Sequence, residues 1–354
     1  MLNAKLTRPT LGVVLALGTF AAVVAAQAAG GHANGAAGPL VAATLAAIFG
    51  TVVLSVQTGW GMLTRLAKAL RSGDVAAVRA VFRDAGAVIR PLFDRPATRR
   101  LIIRMSISRA LVTPLTLGAL YFLGFLGAVN ALMAVGPMWV ALASMKGSPQ
   151  RWLSAATPIG AFAGVLCLTR FWESEGPGRF GAWGLLVGGL LAVGAAATYA
   201  NLLLTFEEME KHPRMSVNVA LGGILGTVTI TIVTAVTVTA LAATGLAVPG
   251  ITPGGQWLTW SVLGWTFLSG LLLQFVAQKT QTWIYGWRLL SQRTFSVFTA
   301  FEPVMGTLMG WAMLSQQPTG LDWFGTGLVF VMAGLCYYQA ELSKTRRLKP
   351  QAAS

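Results

Sequence analysis

Apolar stretches of about 20 residues, the length that crosses a bilayer as a helix, recur along the whole chain, and this recurrence decides the class of fold. "LGVVLALGTFAAVVAAQAA" runs from Leu11 to Ala29, and "VNVALGGILGTVTITIVTAVTVTALA" from Val217 to Ala242. The runs are continuously apolar, which excludes a membrane barrel, whose strands alternate polar and apolar residues. In lipid every backbone group must find its partner within the segment, so helices are expected. Only 10% of the 354 residues are charged, well below the quarter usual for a soluble domain. The 41 glycines suit close helix contacts in lipid.

Ten spans are expected: Leu11–Ala29, Pro39–Gln57, Leu101–Leu120, Gly127–Ser144, Leu153–Thr169, Gly181–Thr205, Val217–Ala242, Leu258–Gln278, Thr294–Leu314 and Trp323–Ala340. Within the seventh, "TVTITIVTAVTVTA" alternates as a strand would. Its length matches a span and β-branched residues are common in membrane helices, so helix is the reading. With ten spans, 23 of the 26 basic residues fall on one side of the membrane. Arg170 and Arg179 fall on the other, and Arg109 lies inside the third span. The positive-inside rule then places both termini in the cytoplasm. The net charge of +15 is thus an orientation signal, with anionic lipid as a secondary partner; nucleic acid is not expected.

Two segments carry a second reading. The first 31 residues have a basic start, an apolar run and Ala26-Gln27-Ala28, the pattern of a cleavable signal peptide; an internal repeat in the chain requires this span, and it is read as retained. Residues 59–100 are the longest polar stretch. "LTRLAKALRSGDVAAVRAVFRDAGAVIRPLF" spaces apolar residues helically between arginines. It is either a solvated hairpin or an amphipathic helix on the inner leaflet, and the second is favoured.

The repeat shows in Ala134–Leu168 and Ala300–Tyr338, which share landmarks in the same order. Each opens on a Gly-Pro or Glu-Pro pair, crosses a Ser/Gln loop with a second proline, restarts at a tryptophan and ends in Ala-Gly before a cysteine. Pro137 and Pro303 are 166 residues apart, Trp152 and Trp323 are 171 apart, and Ala163 and Ala333 are 170 apart. Such a duplication divides ten spans into five and five. An odd number per repeat inverts one copy relative to the other, an arrangement typical of secondary transporters with a site at the repeat interface. The expected fold is therefore all-α, with ten transmembrane helices in two inverted five-helix repeats. These cover residues 1–170 (with the 59–100 insertion) and 171–344, and residues 345–354 form a basic tail. The paired prolines are expected to kink equivalent helices.

The stretch Arg288–Tyr338, with "RTF" at Arg293–Phe295 and "EP" at Glu302-Pro303, resembles the last two helices of the threonine/homoserine exporter family among the EamA-type drug/metabolite transporters. "LGAVNALMAVGP", Leu126–Pro137, is similar to that family's fourth helix. The resemblance implies export of small metabolites, amino acids such as threonine and homoserine, across a bacterial inner membrane. It departs at Ser315-Gln316, where the family has Gly-Glu, and at Met133, where it often has Glu.

Glu302 is the one acidic residue inside an expected span, and an intramembrane carboxylate is a functional candidate by default. The alternative is a structural Glu bonded to neighbouring polar groups. Pro303 is expected to open the helix beside it, and the resemblance implies that Glu302 couples proton movement to export. Asn130, Tyr199, Asn201 and Gln274 either join helices or, with Glu302, Pro303 and Pro137, line one cavity that holds a zwitterion. His32 and His212 are read as loop residues. No metal-ligand cluster, nucleotide loop or nucleophile–base pair is visible, so neither a cofactor nor an enzymatic activity is expected. The competing reading is a membrane scaffold or lipid-handling protein with a basic surface hairpin.

Overall fold

The computed structural model describes residues 8–134, 151–170, 180–210, 215–249, 251, 257–287, 289–290, 295 and 298–348. Pro137, His212 and Arg293, and with Pro137 the expected kink there, lie outside the described residues. Those described form twelve helices and no strand. They are α1 (Arg8–Ala37), α2 (Pro39–Thr58), α3 (Trp60–Arg71), α4 (Val75–Asp94), α5 (Pro96–Leu123), α6 (126–134), α7 (Arg151–Thr169), α8 (Gly181–Glu210), α9 (Met215–Thr244), α10 (Trp260–Gly286), α11 (Glu302–Leu314) and α12 (Gly320–Leu348). Six of them, α1, α2, α5, α8, α9 and α10, are long and apolar enough to cross a membrane. The protein is a helical, multi-pass membrane protein.

The alternating stretch in α9 is helical. Its threonines satisfy their hydroxyls on the preceding turn, Thr229 on Leu225 O at 2.8 Å and Thr231 on Thr227 O at 2.7 Å. Thr227 and Thr234 also meet Thr51 and Thr44 of α2, each at 2.7 Å. Alternation on a helix of threonines is therefore a surface of hydroxyls, some turned inward as helix–helix glue.

Three sequence expectations change. His32 lies within α1, which runs eight residues past the expected span end; its imidazole stacks on Trp265 at 4.2 Å and its Nε2 meets Met313 O at 2.5 Å. The ninth span is not one continuous helix: a single 3-10 turn, Phe298–Phe301, precedes an α-helix that starts at Glu302. Pro303 therefore sits in the first turn of that α-helix, directly after the change from 3-10 to α-helical backbone, where its missing N–H is tolerated. Finally, Leu271–Ala277 in the middle of α10 is a π-helical segment, a feature that often marks functional sites.

Glycines set the closest helix approaches. α2 and α10 cross at Gly50 and Gly270, where a Cβ on Gly270 would lie 2.1 Å from Ala46 O. α6 and α11 close on one another at Gly306, where a Cβ would lie 2.9 Å from Asn130 Nδ2. α3 and α4 form a separate hairpin directly continuous with α2 and α5. Taking 100° per residue, Val75, Phe82 and Ile89 fall within about 40° of one another on α4, and all three are exposed. Arg79, Arg83 and Arg90 flank that stripe, and Trp60, Leu63 and Leu70 are exposed on α3.

Candidate functional site

A cavity of about 40 Å³ opens between α1, α5, α6, α8 and α10. The apolar periodicity of these helices turns Val23, Val112, Leu202 and Leu273 toward it, and the polar exceptions to that periodicity decide its chemistry. Gln27 comes from α1; Arg109, Thr113 and Thr116 lie on successive turns of α5; Tyr199 comes from α8, and Ser269 and Gln281 from α10. All seven are buried.

Arg109 is the strongest charge in this wall. It donates from Nη1 to Gln274 Oε1 at 2.8 Å. Its Nε is buried with no hydrogen-bond partner. Among the described residues no carboxylate pairs with it. Gln274 reaches Arg109 from the π-helical segment. Gly50 makes that possible, since a Cβ there would lie 2.3 Å from the Gln274 Cβ.

Glu302 is fully buried at the start of α11, where the helix dipole favours an anion. Neither of its oxygens makes a hydrogen bond of ordinary geometry. The Tyr199 phenol interacts with both the Glu302 carboxyl and the Arg109 guanidinium. Tyr199 thus neighbours both charged groups and lines the cavity as well.

The remaining expected residues divide. Asn130 is fully buried on α6, donates from Nδ2 to Leu126 O at 3.0 Å, and leaves its Oδ1 enclosed without a partner. It packs against Gly306, one turn beyond Glu302. Asn201 stands apart from the cavity: its Nδ2 donates to Ser108 Oγ at 2.8 Å, and its Oδ1 accepts from Arg104 Nη2 at 2.9 Å. Arg104 also pairs with Glu208 at 2.9 Å. That network ties α5 to α8 and leaves Asn201 no spare group.

Two positions where the chain departs from the resembled family have clear places. Met133 lines the cavity, with Gln27 Nε2 at 3.8 Å and Thr116 Oγ1 at 3.6 Å from its sulfur. Gln316 caps the start of α6, accepting from Leu126 N at 3.2 Å and donating to Gly124 O at 2.9 Å. Sequence reasoning missed Arg109, Gln27, Thr113, Thr116, Ser269 and Gln281 as lining residues. The available signal was simple: Arg109 is a cation inside an expected span, and such residues face the bundle interior or a cavity.

No family model matches the chain. A Bacillus subtilis (strain 168) protein described as permease-like, YdzE, is 38% identical over 47 residues. That match takes in 13% of this chain and 60% of YdzE, so the chain spans less than two thirds of that relative's length. A solved crystal structure with no function in its description superposes with a TM-score of 0.52 at 17% identity, over 95% of this chain and 99% of that one. At that identity the likeness concerns the fold alone, and it extends over nearly the whole of both chains.

Proposed function

We propose that this protein is a secondary transporter of the drug/metabolite type that exports small metabolites, amino acids such as threonine and homoserine, by proton antiport. The observation that carries this reading is a largely apolar cavity in the bundle with Arg109 and Tyr199 in its wall, and Tyr199 neighbours the buried Glu302 carboxyl as well. A scaffold needs no such cavity, and two charged groups held in the bundle interior are costly unless they serve a pathway. About 40 Å³ holds a water or two and no amino acid, so substrate entry requires the helices around the cavity to part. The permease-like relative supports the same general class.

Ten spans in two inverted halves are part of this proposal. Exchange each helix of α1, α2, α5, α6 and α7 with its counterpart in α8, α9, α10, α11 and α12. The contact of α5 with α8 then becomes that of α10 with α1, and the contact of α5 with α9 becomes that of α10 with α2. The contacts of α2 with α9 and of α7 with α12 map onto themselves. The helix ends also sort into two sets. His32 with Met313, Gln316 with Gly124, and Arg170 with Asp322 fall in one; Arg104 with Glu208, and Gly12 against Leu290, fall in the other. We place the second set, both termini and the α3–α4 hairpin in the cytoplasm of a bacterial cell, with the hairpin lying on anionic lipid.

Proteoliposomes test the mechanism. A lumen-acid pH gradient should drive labelled L-threonine inward against its own gradient. Glu302→Gln keeps the shape of the side chain but has no proton to lose or gain. It should abolish gradient-driven accumulation and keep threonine exchange. Accumulation by this variant at the wild-type rate would reduce Glu302 to a structural role. Absence of threonine exchange in the wild type would refute amino-acid transport.

A further inference from the structure

Arg109 is a full positive charge in the bundle interior that the described protein does not neutralise. Its guanidinium has five donors in a fixed planar fork. One is used on the neutral amide of Gln274, and the buried Nε is unused. Next along the same face of α5, Thr113 has its hydroxyl oxygen buried without a partner, and the carbonyl oxygen of Gln27 across the cavity is likewise unmatched. A buried charge with unmet donors costs far more than one that is paired. Lipid-facing or structural arginines avoid that cost by reaching the interface or a carboxylate, and Arg109 does neither. Glu302 forms no ion pair with it among the described residues.

We infer that Arg109 is the anchor for a carboxylate on the transported molecule, with Gln274 holding the guanidinium edge toward the cavity and Thr113 adding a hydroxyl donor. The substrate class is then a small molecule bearing a carboxylate, which rests on the transport reading above and narrows it. A planar guanidinium meets a carboxylate with two parallel hydrogen bonds, a geometry that an ammonium does not reproduce. The neighbouring Gln27 carbonyl accepts from an N–H or O–H elsewhere on the same molecule. A bound carboxylate would set a counter-charge against the Arg109 guanidinium, whose buried Nε has no protein partner among the described residues.

Binding and movement are measured separately. Purified protein is unfolded thermally in the presence of L-threonine, 3-hydroxybutyrate (carboxylate kept, amine absent) or threoninol (amine kept, carboxylate absent). Threonine and 3-hydroxybutyrate should raise the melting temperature and threoninol should not. Arg109→Gln should bind threonine about 10- to 100-fold more weakly, the loss of a hydrogen bond to a charged group. Arg109→Lys should retain part of the affinity, so a folded charge-conserving variant stands beside the neutral one. Threoninol stabilising as well as threonine, no response to either carboxylate, or unchanged affinity in Arg109→Gln would each overturn the assignment. Carboxylate binding that depends on Arg109, found together with no exchange in proteoliposomes, would uphold the anchor and refute transport.

Discussion

Replacing Gly270 with alanine tests whether the crossing of α2 and α10 sets the geometry at Arg109. A Cβ on Gly270 would lie 2.1 Å from the Ala46 carbonyl oxygen and 2.8 Å from Gly50 N. Both are backbone atoms, so no side-chain rotation relieves the overlap. Ordinary Cβ contacts begin near 3.4 Å, so the two helices must separate by about 1.3 Å or the crossing must slide. Overpacking of this kind costs about 1–3 kcal/mol. Gln274 lies one turn beyond Gly270 and moves with it, which lengthens its 2.8 Å bond to Arg109. A misplacement of about 1 Å at a working site is worth roughly 100-fold in rate. Gly264 provides the matched control, because it lies in the same helix with nothing within 4 Å of its would-be Cβ. There alanine should leave stability unchanged or raise it by up to about 1 kcal/mol. The assay is thermal unfolding of both variants in one detergent, and then exchange in proteoliposomes. Gly270→Ala with a wild-type melting temperature and wild-type exchange would refute the claim that this contact positions Gln274.

Other parts of the molecule carry two more expected outcomes. The buried Asp322 carboxylate accepts from Arg170, from Thr319 N at 2.6 Å and from Thr319 Oγ1 at 2.9 Å, so Asp322→Asn should cost about 3 kcal/mol. Thermal unfolding should show that loss while exchange below the transition stays unchanged, since the cluster joins α7 to α12 away from the cavity. On the α3–α4 hairpin, hydrogen exchange of residues 60–94 in nanodiscs should be slower with anionic than with zwitterionic lipid. Arg79, Arg83 and Arg90 each contribute about 1 kcal/mol near an anionic surface, so changing all three to glutamine should erase the difference; identical exchange of the wild type in both lipids would remove the hairpin from the membrane.

The six helices long and apolar enough to cross a membrane were legible because hydropathy and chain punctuation agree. Pro39 and Pro96 stand in the first turns of α2 and α5, and Gly124 ends α5 with a φ of 73°. The helical character of residues 60–94 was legible from the spacing of their apolar residues, whereas their division into two helices at Ser72–Asp74 was not. The start of α11 was not legible, because hydropathy reads straight across Phe298–Glu302 and is blind to a change from 3-10 to α-helix inside an apolar run. The π-helical segment at Leu271–Ala277 has no composition of its own. Asn201 entered the expected cavity by being polar in a span, yet polarity alone does not say which way a helix is rotated; Ser108 and Arg104 claim it. Arg109 was passed over for another reason: it was recognised as lying inside the third span, but only the Glu302 carboxylate was weighed as a functional charge within a span.

The residues brought to the cavity are themselves spaced as the proposed duplication requires. Arg109 and Gln274, which bond each other, are 165 residues apart; Thr116 and Gln281 are also 165 apart, and Gln27 and Tyr199 are 172 apart. These separations sit beside the 166 to 171 residues between the landmark prolines and tryptophans. If the two halves are inverted copies, these are near-equivalent positions facing one another across the pseudo-two-fold axis, which is where transporters of this build place their site. The polarity of the site then comes from how the copies diverged. One retained or gained a cation at position 109, the other carries a neutral amide at 274, and only the second copy has the carboxylate at Glu302. A symmetric scaffold supplies two near-equivalent conformations, open to opposite sides. On the transport proposal, the unlike side chains on it would supply the differential contacts by which substrate and proton select between those conformations.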